Sequence, residues 1–396
     1  MIDFRRVCHY FQRGAFKIMI LFLLTFFLVY GGLHLYFFLR LRAAFPMTVG
    51  VQAAVGLALV FCILTPLIVR LAERLGYEGG ACALCYLGYL WMGVVFLFFA
   101  FSLVMDGYRL ALFFNERIGH MDISRLLPTA RIIFLVPLAA SLSVNVYGYT
   151  EALNIRTERL VVETDKLPKG VDKLRLVQLS DVHVGMIVRE DRLQRMAASV
   201  RAADPDILVC TGDLVDGQLD NMTGSLRILQ EMPARLGKYA VTGNHEFYAG
   251  LEQALDFTRK AGFTVLRGEA VEVAGMIHIA GVDDPAGKRT GEGRQISEAE
   301  LLSSLPPGRF TVLLKHIPQV DLEAALSFDL QLSGHTHKGQ IAPFNMVTGF
   351  VFPYHSGDFI MPDGARLHVS RGTGTWGPPI RFLAPPEVTV VDIVRK

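Results

Sequence analysis

Apolar and polar positions divide this chain into two halves of different texture. Through the first 150 residues apolar side chains run on almost without interruption. From about residue 155 they come in bursts of four to six, separated by polar and glycine-bearing stretches. Four of the long runs, 17–39, 47–69, 81–105 and 126–148, suffice to cross a hydrocarbon core, which takes about 20 helical residues. The last contains Arg131, which must lie near an interface or face a protein-lined interior. The apolar core of the first is too long for a cleaved signal peptide and reads as an uncleaved anchor. Residues 1–150 are therefore expected to form a membrane domain of about four helices, and 151–396 a separate domain.

In that second half the bursts are LRLVQL (174–179), DILVC (206–210), KYAVT (238–242), TVLL (311–314) and DLQL (329–332). Short runs rich in Val, Leu and Ile, bounded by polar residues, have the pattern of buried strands. Helix-like stretches at about 189–203, 222–235 and 250–261 alternate with them, and a glycine-punctuated β-type stretch covers 264–282. Alternation of this kind predicts an α/β architecture with a largely parallel central sheet.

Charge follows the same division. The first 150 residues hold 12 Lys/Arg and 6 Asp/Glu, and the remainder 27 and 31, so a net of +2 conceals a basic half and an acidic half. Arg5, Arg6, Arg13 and Lys17 precede the first span and favour a cytoplasmic N-terminus. Four spans then return residue 151 to the cytoplasm, although Arg109, Arg117 and Arg125 would sit in an outer loop and argue the other way. The five cysteines show no disulfide framework.

Each of the five bursts ends in the same kind of residue. After them come Ser180-Asp181-Val182-His183, Thr211-Gly212-Asp213, Gly243-Asn244-His245-Glu246, Lys315-His316, and Ser333-Gly334-His335-Thr336-His337. One Asp or His after a strand is an ordinary cap or turn residue. Five successive strands delivering such groups to the edge where open α/β sheets bind ligands is a constellation.

The donors are carboxylate oxygen, imidazole nitrogen and a carboxamide, without thiolate. That set suits Mn, Fe, Zn or Co better than a cysteine-bound structural zinc. Asp181, His183, Asp213, Asn244, His316, His335 and His337 are too many for one ion, which implies two divalent ions sharing a bridging carboxylate. Two aspartates leave such a pair a surplus of about +2, attractive to a phosphate ester, and ions about 3.5–4 Å apart can activate a hydroxide for in-line attack on phosphorus. His245 adjoins a ligand and fits a general acid facing the leaving oxygen.

In this order and spacing, D-x-H (181–183), G-D (212–213), G-N-H-E (243–246), His316 and G-H-T-H (334–337) resemble the calcineurin-like metallophosphoesterases over about residues 170–340. The resemblance implies a two-sheet β-sandwich flanked by helices, here following a four-helix transmembrane region. By motif, Asp181, His183, Asp213 and His337 would hold one ion, and Asp213, Asn244, His316 and His335 the other. His245 would be the catalytic histidine. The tail VSRGTGTWGPPIRF followed by PPEVTVV is similar to the bacterial membrane-associated YkuE/YaeI-like branch. Part of that branch is associated with cleavage of UDP-2,3-diacylglucosamine, so a lipid-linked or nucleotide-linked diester or pyrophosphate is the implied substrate class.

Gly372-x-Gly374-x-x-Gly377 spells a dinucleotide fingerprint, but Pro378-Pro379 follow where a helix should open. The glycines read instead as a tight loop near the metal edge. Arg371 and Arg381 are candidate phosphate clamps, with plain surface ion pairing the alternative. A nuclease of the same fold is disfavoured by the acidic second half, which lacks a basic run and implies no nucleic-acid partner. A receptor or scaffold with a degenerate enzyme domain would lack ligands, and none is missing.

Overall fold

The computed structural model describes residues 4–119, 126–217, 219, 222–294, 296–321, 323–362 and 364–396. Two compact units are present, Met1–Gly148 and Tyr149–Lys396.

The first unit is helical: α1 (Phe4–Ala44), α2 (Val49–Arg74), α3 (Glu78–Gly119) and α4 (Ala130–Ala152). All four are long and apolar enough to cross a membrane. Their aromatic side chains fill the interior, with Phe37, Phe98 and Phe134 packed together beside Trp91. The fourth helix begins later than the apolar pattern suggests. Thr129 precedes it, and its hydroxyl accepts from the Ile132 N–H at 3.4 Å, as an N-cap does. Arg131 therefore falls in the first helical turn, with its guanidinium 5.9 Å from the Phe45 ring centre. Arg125, the third basic residue expected in an outer loop, lies outside the described residues.

In the second unit two six-stranded sheets face each other. One is ordered β1 (Arg156–Thr164), β12 (Glu387–Arg395), β2 (Lys173–Leu179), β3 (Ile207–Thr211), β4 (Lys238–Val241), β5 (Thr264–Val265). The other runs β10 (Gly357–Ile360), β11 (Arg366–Val369), β9 (Leu330–Ser333), β8 (Phe310–Leu314), β7 (Ile277–Gly281), β6 (Glu269–Val273). The helices are α5 (Glu190–Ala203), α6 (Thr223–Gln230), α7 (Asn244–Ala249), α8 (Leu251–Lys260), α9 (Ala286–Thr290), α10 (Glu298–Ser303) and α11 (Phe344–Val351).

Each expected burst is a strand, yet they are divided between two sheets rather than lined up in one. β2, β3 and β4 pair in parallel in the first sheet, and β8 and β9 in parallel in the second. Antiparallel pairs β12–β2, β6–β7 and β10–β11 make both sheets mixed. The reason is visible in the core. Leu176, Val209 and Val391 of one sheet pack with Ile279, Val312 and Leu332 of the other in one buried cluster. Strands buried on both faces look alike in sequence whichever sheet they join.

The helices differ in detail from the pattern. The stretch at 222–235 stays helical only to Gln230, since the residue before Pro233 is biased away from helix. The stretch at 250–261 is preceded by a short extra helix, α7, which Gly250 separates from α8. Because β2, β3, β4, β8 and β9 keep their C-terminal ends at one edge, the loops that follow them converge there.

Candidate metal centre and active site

Three groups of ligand atoms meet at this edge: Asp181 with His183 and His337, His183 with Asp213 and His245, and Asp213 with His316 and His335. Asp213 therefore belongs to two groups. In the first, His183 Nε2 lies 3.0 Å from His337 Nε2, which is 3.3 Å from Asp181 Oδ1. In the third, His316 Nε2 is 3.2 Å from both Asp213 Oδ2 and His335 Nδ1. All but His335 of the five groups just named for the first and third clusters beyond Asp213 are essentially buried.

Local backbone geometry aims these side chains. Asp181, His183, Asp213, His335 and His337 all have positive φ, between 48° and 72°. Left-handed conformations are costly for residues with a Cβ and persist where the surroundings enforce them, commonly at functional sites. Here neighbouring bonds do so. The His335 N–H reaches both Asp181 carboxylate oxygens at 3.1 Å, and the His245 N–H donates to Asp213 Oδ1 at 2.8 Å. The loop holding Gly374 presses close: a Cβ there would meet the Val182 carbonyl oxygen at 2.1 Å. Gly372, where a Cβ would meet His337 Nδ1 at 3.0 Å, and Gly374 therefore serve close backbone approach to the metal edge.

Electrostatics keeps Asp213, His335 and His337 in usable form, while the neighbouring Asp213 charge raises His316 against its burial. Burial would push the Asp213 carboxyl up, but the His316 and His245 charges hold it well below the usual carboxylate range. Burial, aided by the charge of His316, lowers His335 to about 4. Burial likewise lowers His337 to about 4 against the opposing pull of Asp181. Both imidazoles are thus neutral near pH 7, with a lone pair to offer.

The family model for calcineurin-like phosphoesterases matches residues 174–339. A metallophosphoesterase of uncharacterised role from Aquifex aeolicus (strain VF5) is 44% identical over 251 residues, covering 63% of this chain and 96% of the relative. The chain belongs to the calcineurin-like phosphoesterases. Another relative, the uncharacterised metallophosphoesterase YkuE of Bacillus subtilis (strain 168), is 31% identical over 62% of this chain and 89% of its own. A transmembrane protein with metallophosphoesterase domain from Danio rerio is 31% identical over 63% of this chain and 60% of that one. Together with four helices able to span a bilayer, this marks a membrane protein that is a phosphoester hydrolase.

The family implies divalent metal ions, and the residues present fit them. The Asn244 side-chain oxygen is buried with no hydrogen-bond partner, a costly arrangement unless a ligand completes it. His316 Nδ1 lies 2.8 Å from the Thr211 carbonyl oxygen and donates to it, which turns Nε2 toward Asp213 and His335. Two imidazole nitrogens meeting at 3.0 Å, and two more at 3.2 Å, need a shared cation or proton between them.

Three residues essential to this geometry carry no role in the sequence reading. Asp216 sits three residues beyond Asp213, with Oδ1 2.9 Å from His245 Nδ1 and 3.5 Å from His183 Nδ1. The second carboxylate in one loop was the available signal. Glu246 is buried, and its two oxygens accept the N–H groups of Asp213, Leu214, Val215 and Gly243 at 3.0, 2.8, 3.3 and 2.6 Å. It therefore shapes the loop that carries Asp213. Trp376 places its ring centre 6.0 Å from that of His245, and Tyr248 places its own 5.9 Å away.

The two arginines proposed as phosphate clamps are engaged otherwise. Arg381 is wholly buried and donates to the carbonyls of Arg371, Gly372, Gly374, His337 and Ala384. Arg371 donates to the Pro385 carbonyl and pairs with Glu158 and, at 2.6 Å, with Glu387. Satisfying so many carbonyls of a glycine-rich loop needs a guanidinium in place, which leaves Arg381 no donors for a substrate phosphate.

Proposed function

We propose that this chain is a membrane-bound phosphohydrolase that uses two divalent ions to cleave a phosphodiester or pyrophosphate bond. The carrying observation is Asp213, shared between two ligand groups beside the orphaned Asn244 oxygen. Asp181, His183, Asp213 and His337 would hold one ion, and Asp213, Asn244, His316 and His335 the other, drawn from Mn, Fe, Zn or Co. Bound there, such ions supply polarisation of the phosphoryl oxygens and a water of lowered pKa.

The chain's own contribution centres on His245. Burial alone would lower its pKa, but Asp213 and Asp216 lift it to about 9, so it carries a proton at neutral pH. An imidazolium beside the site can donate that proton to the leaving oxygen. Asp216, 2.9 Å from Nδ1, orients the ring and leaves Nε2 to face the substrate. Asp181 and Asp213 together balance only half the charge of two divalent ions, so a phosphate anion is drawn in.

Residues 1–150 are read as the multi-span domain and 151–396 as the catalytic domain. Four spans after a basic N-terminus support a catalytic domain in the bacterial cytoplasm. A span that ends three residues before the first strand of the hydrolase supports a substrate confined to the bilayer, lipid-linked or nucleotide-linked, of the UDP-2,3-diacylglucosamine kind. The test uses purified full chain stripped of metal. Hydrolysis of bis-p-nitrophenyl phosphate should return with Mn, Zn, Co or Fe and vanish with chelator. Absence of turnover with every ion would refute the reading.

A further inference from the structure

The hydrolase unit contains one helix whose polarity is inverted. In α11, Thr348 is buried at 8% exposure, while Met346 and Phe350 are 74% and 91% exposed, and Val347 and Val351 are exposed as well. A helix of a soluble domain turns its apolar stripe to the core and its polar face to water. This one packs through Asn345, Thr348 and Gly349. At Gly339 a Cβ would lie 2.4 Å from the Asn345 Cα, so the small side packs tightly against the loop after His337.

The surroundings share this character. Between Lys338 and Asp358 the chain has no Asp, Glu, Lys or Arg, although charged residues are 19% of the whole. The loop bonded to it through Gln340 and Ile341 adds exposed Trp376 and Leu383. The patch also borders the site: Phe352, just after α11, packs its ring on His335 at 5.3 Å, and Trp376 packs on His245.

We infer that α11 is a bilayer-contacting helix, with Met346, Val347, Phe350 and Val351 seated among lipid acyl chains. Exposed patches of this kind mark interaction surfaces, and three facts single out the bilayer as occupant. The same chain has four helices apolar enough to span it, and only residues 153–155 lie in sequence between α4 and β1. A charge-free segment suits hydrocarbon, whereas a protein partner's interface has a polar rim to pair. An eight-residue helix with an apolar outer face lies flat at the headgroup boundary and buries that face to a shallow depth. This assignment goes beyond the hydrolytic reading and needs no turnover to be tested.

The test reads depth directly. Full-length Phe350→Trp protein is reconstituted in phosphatidylcholine vesicles whose acyl chains carry bromine, with the parent chain, bearing Trp91 and Trp376, as the baseline. The emission added by the new tryptophan should fall by about half relative to unbrominated vesicles, as for a side chain at shallow depth. Val347→Trp should behave alike and serves if Phe350→Trp misfolds. Added emission that ignores bromine but is quenched by aqueous iodide would overturn the inference. Shielding from both quenchers, with a doubled particle mass, would overturn it too and assign the face to a second copy of the chain.

Discussion

Replacing Asp216 by Asn tests whether the partner of His245 sets its proton or merely fills space. Asp216 Oδ1 is 2.9 Å from His245 Nδ1, and the side chain is 29% exposed. Two unit charges about 4 Å apart interact by about 4 kcal/mol at an effective dielectric of 20. Partial exposure reduces this to about 1.5–3 kcal/mol, or one to two pKa units. The sign follows from the anion. Asp216 helps raise His245 to about 9, so the protonated acid survives to higher pH, and the amide removes that support. A divalent ion on Asp213 would draw the acid down in the loaded enzyme, so its alkaline limb is expected between about 7 and 9. In Asp216→Asn that limb should move acidward by one to two units, and turnover at pH 8 should fall about 2–100-fold, the more the lower the parent limb lies, for a diester with an alkoxide leaving group. The p-nitrophenolate leaving group needs no proton and should show a much smaller loss. Because Asp216 also lies 3.5 Å from His183, pH–rate profiles are measured at saturating metal. An unmoved limb with equal loss on both substrates would refute the argument and leave Asp216 a structural residue.

His245→Ala should retain both ions yet lose about 10²–10⁴-fold in turnover on poor leaving groups, checked by metal analysis beside kinetics. Asp213→Ala should bind no more than about one ion per chain, and two ions at parental affinity would contradict its shared position. Glu246→Ala strands four backbone N–H groups; at about 1 kcal/mol each it should cost about 3–5 kcal/mol and lower the melting temperature by about 10 °C or more. Gly374→Ala drives a methyl into the Val182 carbonyl and should distort the Asp181–His183 loop, seen as weakened metal retention with the fold kept. Residues 151–396 alone should cleave a soluble diester about as well as the full chain but fall behind on a lipid-linked substrate in vesicles, and equal vesicle rates would separate the spans from substrate capture.

What the sequence made legible was the set of strand ends, because a buried strand leaves an apolar run and the residue after it stands out. It could not show which sheet each run joins, since β3, β7 and β8 are buried along their whole length and look the same. The β7 end is hidden within the glycine-punctuated stretch 264–282 and does not close a clean apolar run, although Asp283 and Asp284 follow it and Asp284 is buried. Arg381 failed differently. A cation in a Gly/Pro-rich tail reads as exposed, and only the folded loop reveals five carbonyls converging on one guanidinium. Asp216 stands out little in sequence, because a carboxylate three residues past a ligand is an ordinary turn residue until the fold brings His245 beside it.

The same physics explains why α11 would deceive any reading of periodicity. Its pattern predicts an apolar face turned inward, and the fold turns that face out. A core-facing helix and a bilayer-facing helix obey one rule, that apolar surface leaves water, and they differ only in what removes it. In the hydrolase unit the sheets already fill their core, as the cluster from Leu160 to Ile393 shows. Met346 and Phe350 lie outside that core and stay exposed, which is the surface that the inferred contact with the bilayer removes from water. The four helices at the start of the chain are made of the side chains that a bilayer accepts.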